Sequence, residues 1–313
     1  MIPIEKIYNT IRIFALILVC SIVLAAQGMA AVAQKIFASP EEAVSALIDA
    51  LTKDDQKALQ SILGTDGASL LSSGDPVADK QGRGKFLEMI VEKHAIEADG
   101  QTKAILVVGR DDWPFPIPVV NKGKGWYFDT GEGKEEILNR RIGKNELSTI
   151  QTMLAVVDAQ REYAMKDLDG DGFLEYAEKF WSDAGKKNGL HWETKEGEEP
   201  SPLGELAAEA WAEGYKKRDP KDKPIPYHGY YYRMLMKQGK SATGGAYDYI
   251  VKGSMVGGFA VVAYPAEYDN SGIMTFIVNH DGVVYQKDLG KNTEGIAKDM
   301  KIFDPDKTWN KVD

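Results

Sequence analysis

Asp167, Asp169 and Asp171 stand on alternate positions of the segment DLDGDGFLEYAE, residues 167–178, and Glu178 closes it. Calcium is a hard cation that takes about six to eight oxygens at flexible geometry, and aspartates alternating on a tight loop converge on one point. An EF-hand-type loop draws its ligands from positions 1, 3, 5, 7, 9 and 12, with glycine at 6. In this chain those positions are Asp167, Asp169, Asp171, the backbone carbonyl of Phe173, Glu175 and Glu178, and Gly172 is the sixth. Without a cation the clustered carboxylates repel one another. The alternative is a solvated acidic turn, since Asp and Gly are common turn residues. The full template, with its closing glutamate, favours calcium. A single loop lacks the paired partner of a sensor, so a structural site is expected rather than a switch.

Other chemistry is sparse. No G-x-S-x-G, H-E-x-x-H or phosphate loop occurs, and the four histidines have no metal-ligand spacing. The lone cysteine, Cys20, lies in an apolar run near the N-terminus. His94 reads as a surface or helix-end histidine. The tyrosines at 227, 230–232, 247, 249, 264 and 268 could line a groove, but they also suit alternating strand faces with each phenol reaching water. WPFPIP, residues 113–118, reads as an edge strand or a wall packed on the core, because proline removes ladder donors.

Length and composition bound the rest. At 313 residues the chain can hold two domains, and a formal net charge of −9 argues against a nucleic-acid surface. Lys6 and Arg12 precede the apolar segment IFALILVCSIVLAA, and AVAQ offers a cleavage site after Ala33. This predicts a signal peptide over 1–33, short of the about 20 residues that a membrane span needs, and a periplasmic or secreted product.

The elements that must position the loop follow from periodicity. Ser39 and Pro40 open a helix, a second helix ends at Gly64, and DKQGRGKFLEMIVEKHAI reads as a third. TKAILVVG and GWYFDT read as strands. Residues 134–166 form a long helical stretch, interrupted at Gly143, with Leu147, Ile150, Leu154 and Val157 on its core face. It enters the acidic loop, and EYAEKFW is expected to leave it as helix. Leu174 is expected to pack inward. Ser201 caps a helix with Pro202 just inside it, and RDPKDKPIP is a rigid linker. From Tyr227 the chain reads as antiparallel β structure, with a hairpin turn at Asp281–Gly282.

The opening EEAVSALIDALTKDDQKALQSIL, followed by a few strands, resembles the cone-shaped nuclear-transport-factor-2-like fold. GDPVADKQGRGKF, DDWPFPIPVV, DLDGDGFLEYAEKFWSD, YHGYYYRML and GGAYDYIVKGSMVGGFAVVAYPAEYDNSGIMTFIVNHDGVVYQKDLG resemble the bacterial domain-of-unknown-function family 2950 over nearly all of the mature chain. That resemblance implies an exported protein of unknown biochemical role and transfers no catalytic residue. The long helix leading to hairpins is similar to pilin-like export proteins, except that here the helix is internal.

The expectation is therefore an α+β protein. Residues 36–133 would form a nuclear-transport-factor-2-like lobe, and 134–313 would carry the long helix, the calcium-type loop and the C-terminal sheet. The leading reading is a non-enzymatic exported binding or envelope-associated protein, with an unknown protein or small-molecule partner and structural calcium. The alternative is a hydrolase or lyase using a pocket in the N-terminal cone or the tyrosine-rich C-terminal cleft. A carboxylate beside His228 or His280 would favour it.

Overall fold

The computed structural model describes residues 33–312 apart from 169, 171, 196 and 217–223. It is α+β. Ser39 Oγ accepts from Glu42 N at 3.2 Å and starts α1, Pro40–Thr52, while α2 spans Gln56–Leu63. The short α3, Ala68–Leu71, precedes α4, Pro76–Glu92. Asp75 caps α4, accepting from Val77 N at 3.2 Å and Ala78 N at 3.1 Å. The expected third helix thus begins earlier than its apolar residues suggest, and it stops short of HAI. His94–Ala98 is strand β1, because it completes an antiparallel ladder with β2, Lys103–Val108. His94 Nδ1 lies 2.8 Å from the carbonyl of Ile90, at the end of α4.

The first sheet runs β1-β2-β4-β5, with β4 at Val119–Asn121 and β5 at Trp126–Phe128. The short β3, Trp113–Pro114, pairs with β2 at an edge. Phe115 and Ile117 turn inward, and the Phe115 ring lies 4.8 Å from that of Phe86. WPFPIP is thus a wall of the first core, which gathers Phe37, Leu47, Leu59, Ile90, Leu106, Ile117 and Phe128.

Helix α5, Thr130–Tyr163, is continuous through Gly143, contrary to the expected interruption. Nothing crowds Gly143, and unbroken helix on both sides carries it. The expected apolar stripe faces inward only in part: Ile150 and Val157 join the core, while Leu147 is 65% exposed and Leu154 41%. The buried face runs through Asn145, Thr149, Met153, Val156, Gln160 and Tyr163. Polar residues hold the inner face because each finds a partner there. Asn145 Nδ2 donates to Ser271 O at 2.9 Å, Tyr232 Oη donates to Thr149 Oγ1 at 3.3 Å, and Gln160 bonds Ala177. The first half of α5 packs on the first core at Ile137, and the second half joins a second core at Ile150, Met153 and Val157. The boundary expected at 133/134 falls inside this helix.

The second sheet is antiparallel in the order β12-β11-β10-β9-β6. Its strands are β6 Tyr230–Leu235, β9 Ala260–Pro265, β10 Met274–Asn279, β11 Tyr285–Asp288 and β12 Asn310–Lys311. A small ladder pairs β7, Lys237–Gln238, with β8, Tyr247–Asp248. Gly282 N donates to Asn279 O at 2.9 Å in the expected hairpin turn between β10 and β11. Successive residues of a strand face opposite ways. Tyr232 accordingly reaches α5, and Arg233 reaches α7, Thr293–Asp299, on the other face.

Helix α6 spans Gly204–Ala212. Ser201 does not cap it: its Oγ lies 3.0 Å from His191 Nδ1, and only its carbonyl bonds Gly204 N. Most of the expected linker RDPKDKPIP lies outside the described residues. No helix among the described residues is long and apolar enough to cross a membrane.

Candidate functional site

The acidic loop leaves the C-terminal end of α5. The Asp167 carboxylate folds back over it: Oδ1 accepts from Gly170 N at 2.7 Å and Oδ2 from Gly172 N at 2.9 Å. Gly172 takes φ of +87°, a conformation that side chains rarely adopt, so glycine is needed at the sixth position. Asp169 and Asp171 lie outside the described residues. Phe173 is exposed. Glu175 and Glu178 are half-buried. Leu174 is exposed rather than packed inward.

The expected exit helix does not form; residues 173–180 are irregular. The cause is competition for backbone groups. Gln160 Oε1 accepts from Ala177 N at 2.9 Å, and its Nε2 donates to Ala177 O at 2.8 Å. Tyr176 N donates to Met255 O, and Leu190 N and His191 N donate to the carbonyls of Lys179 and Phe180. These bonds hold the segment extended, where a helix would need the same groups. The exit of the loop is therefore pinned to α5 by Ala177 through Gln160. Among the described residues no group of three or more His, Cys, Asp or Glu gathers into a metal cluster.

A second constellation lies where the two cores meet. Asp75 is fully buried. Besides capping α4, its Oδ2 accepts from Tyr215 Oη at 2.8 Å and from Gly229 N at 2.9 Å. Tyr215 Oη in turn accepts from His228 N at 3.2 Å. His228 adopts φ of +50°, and its Nε2 lies 3.6 Å from Glu213 Oε2. That carboxylate oxygen is buried and makes no hydrogen bond. The Tyr227 and His228 ring centroids lie 4.0 Å apart, with the planes tilted by 50°. Burial holds the His228 imidazole below its ordinary pKa, against the pull of Glu213 and Asp75. Burial beside the same carboxylates raises the Tyr215 phenol, and it pushes Tyr227 up to about 12. Non-glycine residues at positive φ and buried carboxylates are features of functional sites.

The aromatic run around His228 was the one part of this cluster that the sequence reading singled out; Asp75, just before Pro76, was missed, although Asp followed by Pro is a helix-start signal. The sequence offered no signal for their meeting, since 154 positions separate Asp75 from Gly229. Nearby contacts lock the same junction. Arg141 Nη1 donates to Ser69 O and Asn270 Oδ1, each at 2.7 Å, and Asn270 Nδ2 donates to Ser72 O at 2.8 Å. Glu146 Oε1 accepts from Ile273 N and Met274 N at 3.0 and 2.9 Å.

The tyrosines do not converge. Tyr230 and Tyr249 are fully buried and bond protein rather than water, donating to Met274 O at 2.9 Å and Gln238 Oε1 at 3.0 Å. His280 Nε2 lies 3.9 Å from Asp281 Oδ1, its chain neighbour.

No curated protein and no solved structure matches the chain. The family described as protein of unknown function (DUF2950) matches residues 34–312, and the chain belongs to that family.

Proposed function

We propose that the chain is an exported binding or envelope-associated protein whose acidic loop holds a structural calcium ion. The loop geometry carries this reading: the first aspartate closes the turn on Gly170 and Gly172, and Gly172 has the positive φ that the sixth position needs. The donor set is all oxygen, as calcium prefers. Asp167, Asp169, Asp171, Glu175 and Glu178 would supply carboxylates, and Phe173 a carbonyl. The ion would neutralise their mutual repulsion and fix the end of α5 to the segment that Gln160 holds. The apolar run over 13–26 and the cleavage site after Ala33 support export. The opening helices and first sheet support a nuclear-transport-factor-2-like reading of the N-terminal part.

Thermal unfolding of chelator-stripped protein tests the metal. Millimolar calcium should raise Tm by several degrees, and Asp167→Ala should abolish the rise. An unchanged Tm in the parent protein refutes it.

The enzymatic alternative draws on one observation, the Glu213 carboxylate beside His228. A neutral imidazole paired with a carboxylate can act as a general base. Against it, Asp75 and Tyr215 are consumed by helix-capping and backbone bonds. The binding reading therefore leads.

A further inference from the structure

A groove runs along the outer side of β6 and β7. Its volume is about 340 Å³, within the range of small-ligand sites. Three backbone contacts build it. Tyr249 N donates to Met236 O at 2.9 Å, Phe303 N donates to Lys237 O at 3.0 Å, and Gln238 bridges Phe303 in parallel. Residues 247–250 and 300–303 are thus pinned on either side of residues 236–238. Met236, Ile250 and Leu235 line the groove. Met236 is 38% exposed, and the adjoining Val251 and Ile302 are 47% and 40% exposed. Exposed apolar side chains at a groove suit an apolar ligand.

The charges at the groove oppose those of the protein. The chain carries −9, yet Arg233, Lys237 and Lys301 face a single carboxylate, Asp248. Among the described residues neither Lys237 nor Lys301 makes an ion pair. Arg233 is fixed by donating to Ala297 O at 2.6 Å and Met300 O at 2.5 Å, while its buried Nε has no hydrogen-bond partner. An apolar floor with cations at its rim complements a molecule with an apolar chain and an anionic end.

We propose that this groove binds a monomeric anionic amphiphile, its acyl chain against Met236 and Ile250 and its carboxylate at Lys237 and Lys301. This goes beyond the calcium reading and does not depend on the acidic loop holding a metal.

Isothermal titration of the full chain with decanoate, below its micelle concentration, tests it. Saturable binding at one site is expected. Octanoate should bind about tenfold more weakly, from two fewer buried methylenes. Decanol and inorganic phosphate should each bind at least tenfold more weakly than decanoate. Lys237→Glu with Lys301→Glu should weaken decanoate at least tenfold. Lys301 is exposed and Lys237 half-buried, and an unchanged circular dichroism spectrum shows that the variant is folded. Met236→Ser is a second variant, expected to weaken decanoate at least tenfold without changing the affinity for phosphate. The proposal is overturned by no binding, by equal binding of decanol, by decanoate affinity indifferent to charge reversal, or by phosphate binding alone. Sedimentation with phosphatidylglycerol vesicles without decanoate binding also overturns it, since that is a membrane surface and not a monomer site. Calcium-induced stabilisation is read separately, so either proposal can fail alone.

Discussion

Replacing Asp75 with alanine removes four hydrogen bonds at once. Two cap α4, at Val77 N and Ala78 N, and loss of such a cap costs about 1 kcal/mol. The other two leave Tyr215 Oη and Gly229 N as donors in a buried place, at about 1–3 kcal/mol each. Together these give a loss of about 3–7 kcal/mol, a large part of the about 5–15 kcal/mol that holds an ordinary domain folded. Asp75→Asn separates the contributions. The amide oxygen can still cap the helix, and Tyr215 can rotate its hydroxyl to accept from the amide nitrogen. Gly229 N has no such freedom, so this variant should lose about 1–3 kcal/mol. Urea unfolding followed by circular dichroism measures both, with m-values compared to check that the transition keeps its cooperativity. Tyr215→Phe in the same background completes a double-mutant cycle, and the two sites should couple because they share a bond. An Asp75→Ala loss below about 1 kcal/mol, or an Asp75→Asn variant as stable as the parent, would show that the junction is solvated and the reasoning wrong.

Two further outcomes follow from the same packing. His228 is held below its ordinary pKa, with Glu213, Asp75, Lys144, Lys85, Tyr215 and Tyr227 around it. The folded state then binds fewer protons than the unfolded state near this group, so its contribution is complete above about pH 6.5 and is lost as pH falls. His228→Asn tolerates the positive φ and should flatten that part of the stability–pH curve, while an NMR titration midpoint for His228 at or above the ordinary value would contradict the burial argument. Gly133→Ala should cost about 1–3 kcal/mol or more, because a Cβ there would stand 2.2 Å from the carbonyl oxygen of Pro116, which is backbone and cannot turn aside. A thermal melt within a degree of the parent would mean that α5 does not rest on the WPFPIP wall.

Local signals in the chain announced much of this architecture. Ser39 with Pro40, the break at Gly64, the Lys103–Val108 strand and the turn at Asp281–Gly282 are short-range events, each settled by a side chain or a permitted φ within a few residues. The acidic loop was legible for the same reason, since Asp167 closes on backbone only three and five positions away. What failed were readings that took hydrophobicity as a guide to orientation. Of the stripe Leu147, Ile150, Leu154 and Val157, only Ile150 and Val157 pack inward, and α5 also buries Asn145, Thr149 and Gln160, whose partners Ser271, Tyr232 and Ala177 belong to distant segments. The exit helix failed likewise, because Gln160 claims the Ala177 backbone bonds that a helix would need.

By itself the sequence determined the α+β class, the local caps and turns at Ser39, Gly64 and Gly282, and the run of acidic residues over 167–178. Those follow from periodicity, capping and turn chemistry, which act over a turn or a hairpin. Only the tertiary structure decided which face of α5 lies inward, that Asp75 meets Tyr215 and Gly229, that Glu213 stands beside His228, and that Lys237 and Lys301 flank one apolar groove. Buried polar groups and unpaired charges are satisfied by whatever the fold brings near them, and sequence distance carries no record of that meeting.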